Sequence, residues 1–134
     1  MKSTYQSHGR CVYKLSYHTV FAVKDMRPVI TDEIGVFLTS RCADLIEGWG
    51  GHFIQGSYSP ASLHLVFDMD PQHELAKYMA AMKQRISREV RHMYPERVSA
   101  YFPSGGFWAQ SYFLASFGSV TDEDIKDYLS SLRK

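Results

Sequence analysis

The chain has 134 residues, of which 45% are hydrophobic and 22% charged, and its formal net charge is +1. This balance is typical of one folded domain and excludes an intrinsically disordered chain. No apolar run reaches the roughly 18 residues of a membrane-spanning helix, and the N-terminus lacks the apolar centre of a signal peptide, so we expect no membrane association and a cytoplasmic location.

The first half of the chain predicts a strand, a helix and two more strands. CVYKLSYHTVFAV (11–23) is rich in β-branched and aromatic residues, which favours one long strand. TDEIGVFLTSRCADLIEGWG (31–50) begins with an N-cap candidate, Thr31 or Asp32, and repeats apolar residues at helical spacing up to a glycine-rich end. HFIQGSYS (52–59) and SLHLVFDM (62–69) then predict two short strands joined by a tight connection.

The second half predicts two helices with a strand between them. Residues 73–93 place Leu75, Met79, Met82, Ile86 and Met93 on one side of a helix and basic residues on the other. After Tyr94-Pro95 a loop leads to FWAQSYFLASFG (107–118), whose aromatic content favours a strand. A final helix over about 121–132 is capped by Thr121, with Asp124 as its capping-box acid.

The order β-α-β-β-α-β-α defines the expected fold. Its first six elements match the ferredoxin-like, or split β-α-β, arrangement of an α+β protein, with an antiparallel sheet and helices on one face. We therefore predict a single domain over residues 1–134, with a core of about 10–118 and an additional C-terminal helix.

Two residues are candidates for chemistry, and each has an ordinary structural interpretation. His64 lies among apolar neighbours of a predicted strand, and Ser62 shares its face because side chains alternate along a strand. His64 is therefore either a hydrogen-bonded histidine of the core or half of a metal site. Tyr128 lies on the same helical stripe as Ile125 and Leu132, so packing alone also explains it.

Four segments carry a resemblance to a known family. The succession YHTVFAVK…RPVI, SLHLVF, FWAQSYFLASFGSVT and DIKDYL resembles the single-tyrosine transposases of the HUH superfamily, the TnpA type, over roughly residues 10–132. Such proteins mobilise small bacterial and archaeal insertion sequences as single-stranded DNA. The resemblance implies a homodimer that binds single-stranded DNA with hairpin ends and cleaves and rejoins it through a 5′-phosphotyrosine. It makes Tyr128 the attacking residue.

The resemblance also implies a divalent metal, Mg²⁺ or Mn²⁺, that is held by three protein side chains. His64 matches one of the ligands, but Ser62 and Leu132 stand where a histidine and a glutamine are expected. Serine is a poor neutral ligand and leucine cannot ligate. Asp68 and Asp70 follow on the face of His64, so they are candidate substitutes for the missing ligands.

Basic residues are the candidates for contacts with DNA phosphates. Lysine and arginine exceed acidic residues in 1–30 and in 77–97, and the resemblance turns these solvated faces into a predicted binding surface of Lys14, Lys24, Arg27, Lys77, Arg88 and Arg91. Asp25 stands where the family usually has a tyrosine, and its charge weakens phosphate binding.

The altered metal site leaves alternatives to an active transposase. One is a domesticated or remnant regulator that binds hairpin nucleic acid and has lost metal-dependent nicking. Another is a chain altered deliberately to trap a bound state. Loss of metal ligands damages cleavage and leaves binding intact, so Ser62, His64 and Leu132 are the residues that separate these hypotheses.

Overall fold

The computed structural model describes residues 5–7, 11–13, 15–70, 74–116 and 122–132. Among these residues, six strands are β1 (Tyr5–Ser7), β2 (Cys11–Tyr13), β3 (Leu15–Ala22), β4 (His52–Ser59), β5 (Ser62–Met69) and β6 (Phe113–Ser116). Four α-helices are α1 (Asp32–Gly48), α2 (Leu75–Met93), α3 (Pro95–Tyr101) and α4 (Asp122–Ser131).

The main sheet is antiparallel and has the order β4-β5-β3-β6. The strand that precedes α1, β3, therefore lies between β5 and β6, which is the split β-α-β arrangement. The predicted α+β, ferredoxin-like fold is confirmed. The bounds of β4 and β5 are those predicted from the sequence.

Three predicted elements differ from the observed ones. The strand expected over 11–23 is divided, because β2 pairs with β1 in a separate two-stranded sheet, whereas β3 belongs to the main sheet. The strand expected over 107–118 begins only at Phe113, and the residues before it pair with the sheet at an isolated bridge between Val23 and Trp108. The loop expected after Tyr94 contains α3, whose first residue, Pro95, suits the start of a helix.

The core lies between one face of the sheet and the helices α1 and α2. Alternate residues of β5, namely Leu63, Leu65, Phe67 and Met69, are fully buried there. Thr31 caps α1, as predicted, by accepting a hydrogen bond of 3.1 Å from the Ile34 amide. On α2 the buried stripe consists of Met79, Met82, Ile86 and Val90, whereas Met93 is 54% exposed and does not belong to it.

The opposite face of the sheet is covered by α4. Ile125 is the buried residue of this helix, and it lies with Leu129 over the side chains of β3 and β5. The predicted N-cap, Thr121, lies outside the described residues. In the part of the chain that the structure describes, no helix has the length and apolar character needed to cross a membrane.

Candidate functional site

A cavity of about 440 Å³ lies between α4 and the sheet. Paired residues of neighbouring strands face the same side, and the pairs His18–Val66 and Val20–His64 therefore bring His18 and His64 to the face below α4. Their ring centroids are 6.0 Å apart. The cavity is lined by His18, Gln55, Gly56, Ser57, His64, Val66, Asp122, Ile125, Lys126 and Leu129.

His64 is held by a chain of serine hydroxyls. Its Nε2 atom lies 2.9 Å from Ser62 Oγ, and Ser62 Oγ lies 2.7 Å from Ser59 Oγ. Burial, with a smaller contribution from the nearby His18, lowers the pKa of His64 to about 4. The imidazole is therefore neutral at pH 7, and its Nε2 atom is engaged by Ser62.

His18 is a cavity residue that sequence reasoning missed. Burial lowers its pKa, and the carboxylate of Asp122 on α4 opposes that shift. The signal in the sequence, a histidine in an aromatic strand, becomes informative only when the register of β3 against β5 is known. Lys126, on the helix above, was missed for the corresponding reason.

These donors do not fit a divalent metal held by three protein ligands. Among the described residues, no group of three or more His, Cys, Asp or Glu side chains could hold a metal ion. Asp68 receives a short hydrogen bond from Ser16 and lies four residues from His64, about 13 Å along an extended strand. The geometry therefore does not support Asp68 as a substitute ligand.

Tyr128 lies beside the cavity and does not line it. Residues 122, 125, 126 and 129 form the helical face above the histidines, and Tyr128 is rotated by about 100° from Leu129. Its ring centroid lies 5.8 Å from that of Phe113, and its hydroxyl lies 3.0 Å from Ser111 Oγ. Leu132, one turn further on, is half-buried.

Some of the predicted phosphate-binding residues converge on the loop that follows α3. Arg91 donates to the carbonyl oxygens of Gly106 at 2.7 Å and Phe102 at 3.3 Å, and Lys24 passes over Gly106. Arg88 is exposed one turn before Arg91 on α2. Because Arg91 is engaged with backbone carbonyls, its first role is structural.

Arg27 and Arg97 lie on the ring of Tyr101. Both guanidinium carbons are 5.0 Å from the ring centroid, and Arg97 also donates to the carbonyls of Pro28 and Val29. Arg97 was not among the predicted residues, because its position depends on the unpredicted helix α3. Arg27 is exposed, and no salt bridge of its guanidinium is present among the described residues.

One of the predicted basic residues, Lys77, lies apart from this cluster. Lys77 is exposed near the start of α2, eleven residues before Arg88 and therefore about 16 Å away along the helix axis. Lys14 lies outside the described residues. The structure thus brings Lys24 and Arg91 together at Gly106 and places Arg27 on Tyr101, whereas Arg88 and Lys77 lie on α2 one turn and about four turns before Arg91.

The sheet, the helix that carries Tyr128 and the histidine face define a tyrosine transposase fold, and comparisons with known proteins agree. Residues 11–131 match the family described as IS200-like transposases. The chain belongs to this family, and the predicted single-tyrosine HUH-type class is confirmed. The family is one of metal-dependent transposases, which suggests a divalent metal, although the side chains described above do not form its site.

Individual relatives support the same class. The ISDra2 transposase TnpA of Deinococcus radiodurans is 26% identical over 120 residues, which cover 90% of this chain and 85% of that protein. A crystal structure at 1.90 Å of a Deinococcus radiodurans R1 protein described as a transposase has a TM-score of 0.84 and 26% identity, with 98% of both chains covered. A REP-associated tyrosine transposase bound to a REP hairpin has a TM-score of 0.52 and 8% identity over 95% of this chain and 68% of that one, and it supports the fold alone.

Proposed function

We propose that this chain binds single-stranded DNA with hairpin ends and cleaves and rejoins it through Tyr128. The Tyr128 oxygen attacks a phosphorus of the DNA backbone, a new P–O bond forms, and the P–O3′ bond breaks. The proton lost by the phenol is balanced by the proton that the released 3′-hydroxyl gains. The product is a 5′-phosphotyrosine, and attack by a 3′-hydroxyl reverses the step and rejoins the strand.

The observation that carries this proposal is the place of the Tyr128 hydroxyl. It belongs to a half-buried side chain whose ring rests on Phe113, on the helix whose next residue, Leu129, lines the cavity. Lys126, two residues earlier on α4, lines the cavity with an exposed side chain and can neutralise a phosphate there. Because the donors around His64 do not fit a metal, no step is assigned to one.

A covalent adduct tests the chemistry directly. Labelled hairpin DNA with randomised single-stranded flanks, incubated with Mg²⁺ or Mn²⁺, should give a protein–DNA adduct that survives denaturing electrophoresis. We expect Tyr128→Phe to abolish the adduct, because it removes the attacking oxygen. Tyr58→Phe is the matched control, since its hydroxyl lies near Asp32 on the other side of the sheet. An adduct that persists in Tyr128→Phe would exclude Tyr128 as the nucleophile.

A binding protein without cleavage is the second candidate, and the Ser62–His64 hydrogen bond is the observation that favours it. The family match favours the first candidate. If the unmodified chain binds the hairpin but forms no adduct with either Mg²⁺ or Mn²⁺, the result would favour the second candidate.

DNA binding should depend on the basic cluster at the loop after α3. Replacing exposed Lys24 and Arg27 with glutamine removes two cations, so the slope of log K against log salt should fall by about 1.4 for single-stranded DNA. Hairpin affinity measured by fluorescence anisotropy at several salt concentrations gives this slope. Arg85→Gln is the control, because Arg85 is paired with Glu89. An unchanged slope in the double variant would place the DNA elsewhere.

We also infer a homodimer in the cytoplasm. Among the described strands, β4 and β6 are the edges of the main sheet, and unpaired edges are able to pair with another chain. Ile54, at an irregularity of β4, is 45% exposed and supports the β4 edge as the contact.

A further inference from the structure

We propose that Ser111, fixed by Lys83, positions the hydroxyl of Tyr128 for its attack on DNA. This proposal rests on the proposed function of Tyr128 and adds two positioning residues to it. Neither residue is part of α4. The orientation of the Tyr128 side chain therefore depends on the segment that precedes the edge strand β6. We call residues 109–111 the tyrosine seat.

Two contacts hold the side chain of Tyr128. Its hydroxyl lies 3.0 Å from Ser111 Oγ, and its ring lies against Phe113. A phenol ring rotates about two side-chain bonds, so a ring contact and a hydroxyl contact together fix its orientation. Ser111 is exposed, so the hydroxyl pair is reachable by a substrate.

The tyrosine seat is held by a lysine from another element. Residues 109–111 precede β6 and do not belong to it; the Ala109 amide donates to the Ala22 carbonyl at 2.8 Å. Backbone carbonyls outside a strand need other donors. Lys83, on α2, supplies them: its Nζ atom lies 2.6 Å from the carbonyl oxygen of Ala109, 3.0 Å from that of Gln110 and 3.4 Å from that of Ser111.

The ammonium group of Lys83 is matched to its acceptors. An ammonium group has three protons to donate, and three successive carbonyls surround it. The side chain is half-buried, and burial lowers its pKa. The Nζ atom also lies 5.8 Å from the ring centroid of Tyr112. Lys83 thus ties α2 to the backbone that carries Ser111, and it acts on Tyr128 only through that backbone.

The consequence is kinetic. An attacking oxygen must be held near the phosphorus in a defined direction, and a displacement of about 1 Å can cost on the order of 100-fold in rate. Loss of the Ser111 hydroxyl leaves the phenol ring in contact with Phe113 but frees the hydroxyl. We therefore expect the rate of adduct formation to fall about 10-fold to 100-fold in Ser111→Ala at saturating hairpin, with an unchanged dissociation constant for the hairpin.

The matched control is Ser131→Ala. Ser131 Oγ lies 2.6 Å from the backbone carbonyl of Tyr128 and touches the same residue without touching its hydroxyl. This variant should keep both the rate and the affinity. Ser111→Thr retains a hydroxyl and should recover most of the rate. Lys83→Met should behave like Ser111→Ala, whereas Arg85→Met, at an exposed basic residue of the same helix that pairs with Glu89, is its control.

A second readout does not require DNA. In protein with ¹³Cζ-labelled tyrosine, the Tyr128 resonance is identified by its absence in Tyr128→Phe. Ser111→Ala and Lys83→Met should shift this resonance, and Ser131→Ala should leave it in place. Circular dichroism and thermal unfolding of each variant separate loss of the seat from loss of the fold.

The outcomes distinguish this inference from the proposed function. A shifted resonance with no adduct from any chain would retain the tyrosine seat and reject the nucleophile. An adduct formed at the unmodified rate by folded Ser111→Ala, with an unmoved Tyr128 resonance, would overturn the seat and retain the nucleophile. A slow Ser111→Ala that Ser111→Thr restores would support both.

Discussion

The double variant Ser62→His, Leu132→Gln should bind Mn²⁺ on the order of 100-fold more tightly than the unmodified chain. A histidine at position 62 would face the same side of β5 as His64, about 7 Å along the strand. It would also replace the hydroxyl that now engages His64 Nε2 at 2.9 Å, so this atom becomes available to a metal. A glutamine at 132 would add an oxygen ligand one turn after Tyr128.

Space for the larger side chain exists next to the strand. A groove of about 770 Å³ runs beside the turn that precedes β5 and is lined by Met26, Pro28, Ser59, Pro60, Ala61, Lys126, Leu129 and Ser130. Ser62 itself is only 1% exposed, so the new imidazole must displace Ser59 toward this groove. Some loss of thermal stability is therefore expected together with the gain in metal affinity.

Isothermal titration calorimetry with Mn²⁺ and the adduct assay with hairpin DNA measure the two parts of this effect. The single variants should each show a smaller gain, because two protein ligands hold a hard cation less tightly than three. Ser59→Ala is the control: it removes the neighbour of Ser62 and adds no ligand. A folded, hairpin-binding double variant with no gain in Mn²⁺ affinity would show that the lost ligands are not what limits this site.

The strands around His64 were predictable because their pattern is local. HFIQGSYS and SLHLVFDM are short segments with clear ends, and β5 alternates between a face buried against the helices and a face that carries Ser62, His64 and Asp68. This alternation is sufficient to place Ser62 and His64 on one side. It does not predict that the serine hydroxyl occupies the imidazole nitrogen, because that contact depends on side-chain rotamers.

The segment before β6 was not predictable from its own residues. FWAQSY has the aromatic content of a strand, but the carbonyls of Ala109 and Gln110 bond to Lys83 from a helix that ends sixteen residues earlier in the chain. A contact at that separation has no local signature. The same reason explains why Ser111 was missed, although Tyr128 and its helix were found.

The other residues of the site could not be predicted, because their positions depend on contacts between elements that are distant in the sequence. His18 reaches the cavity because β3 pairs with β5 in the register Val20–His64, and no pattern within residues 15–22 specifies that register. Likewise, Arg97 joins Arg27 on Tyr101 only because α3 exists, and the sequence Tyr94-Pro95 indicated the end of a helix more strongly than the start of another.

Acidification should destabilise the unmodified chain more than a variant without His64. In the unfolded chain a histidine has a pKa of about 6.5. In the folded chain, burial lowers the pKa of His64 to about 4, with His18 contributing in the same direction. The unfolded state therefore binds the proton first, so the stability that neutral His64 allows is complete above pH 6.5 and is lost as the pH falls toward 4.

Urea unfolding of the unmodified chain and of His64→Gln at several pH values between 7 and 4 measures this loss. We expect the unfolding free energy of the unmodified chain to fall by about 3 kcal/mol relative to that of His64→Gln between pH 7 and pH 4. The other titratable groups are common to both proteins, so their contributions cancel in the difference. His52→Gln is the control for replacing a histidine outside the cavity, because His52 is exposed on β4. Parallel curves for His64→Gln and the unmodified chain would mean that the imidazole is protonated in the folded cavity as readily as in the unfolded chain. The Ser62–His64 bond would then also have to be compatible with a charged imidazole, with Ser62 Oγ as the acceptor.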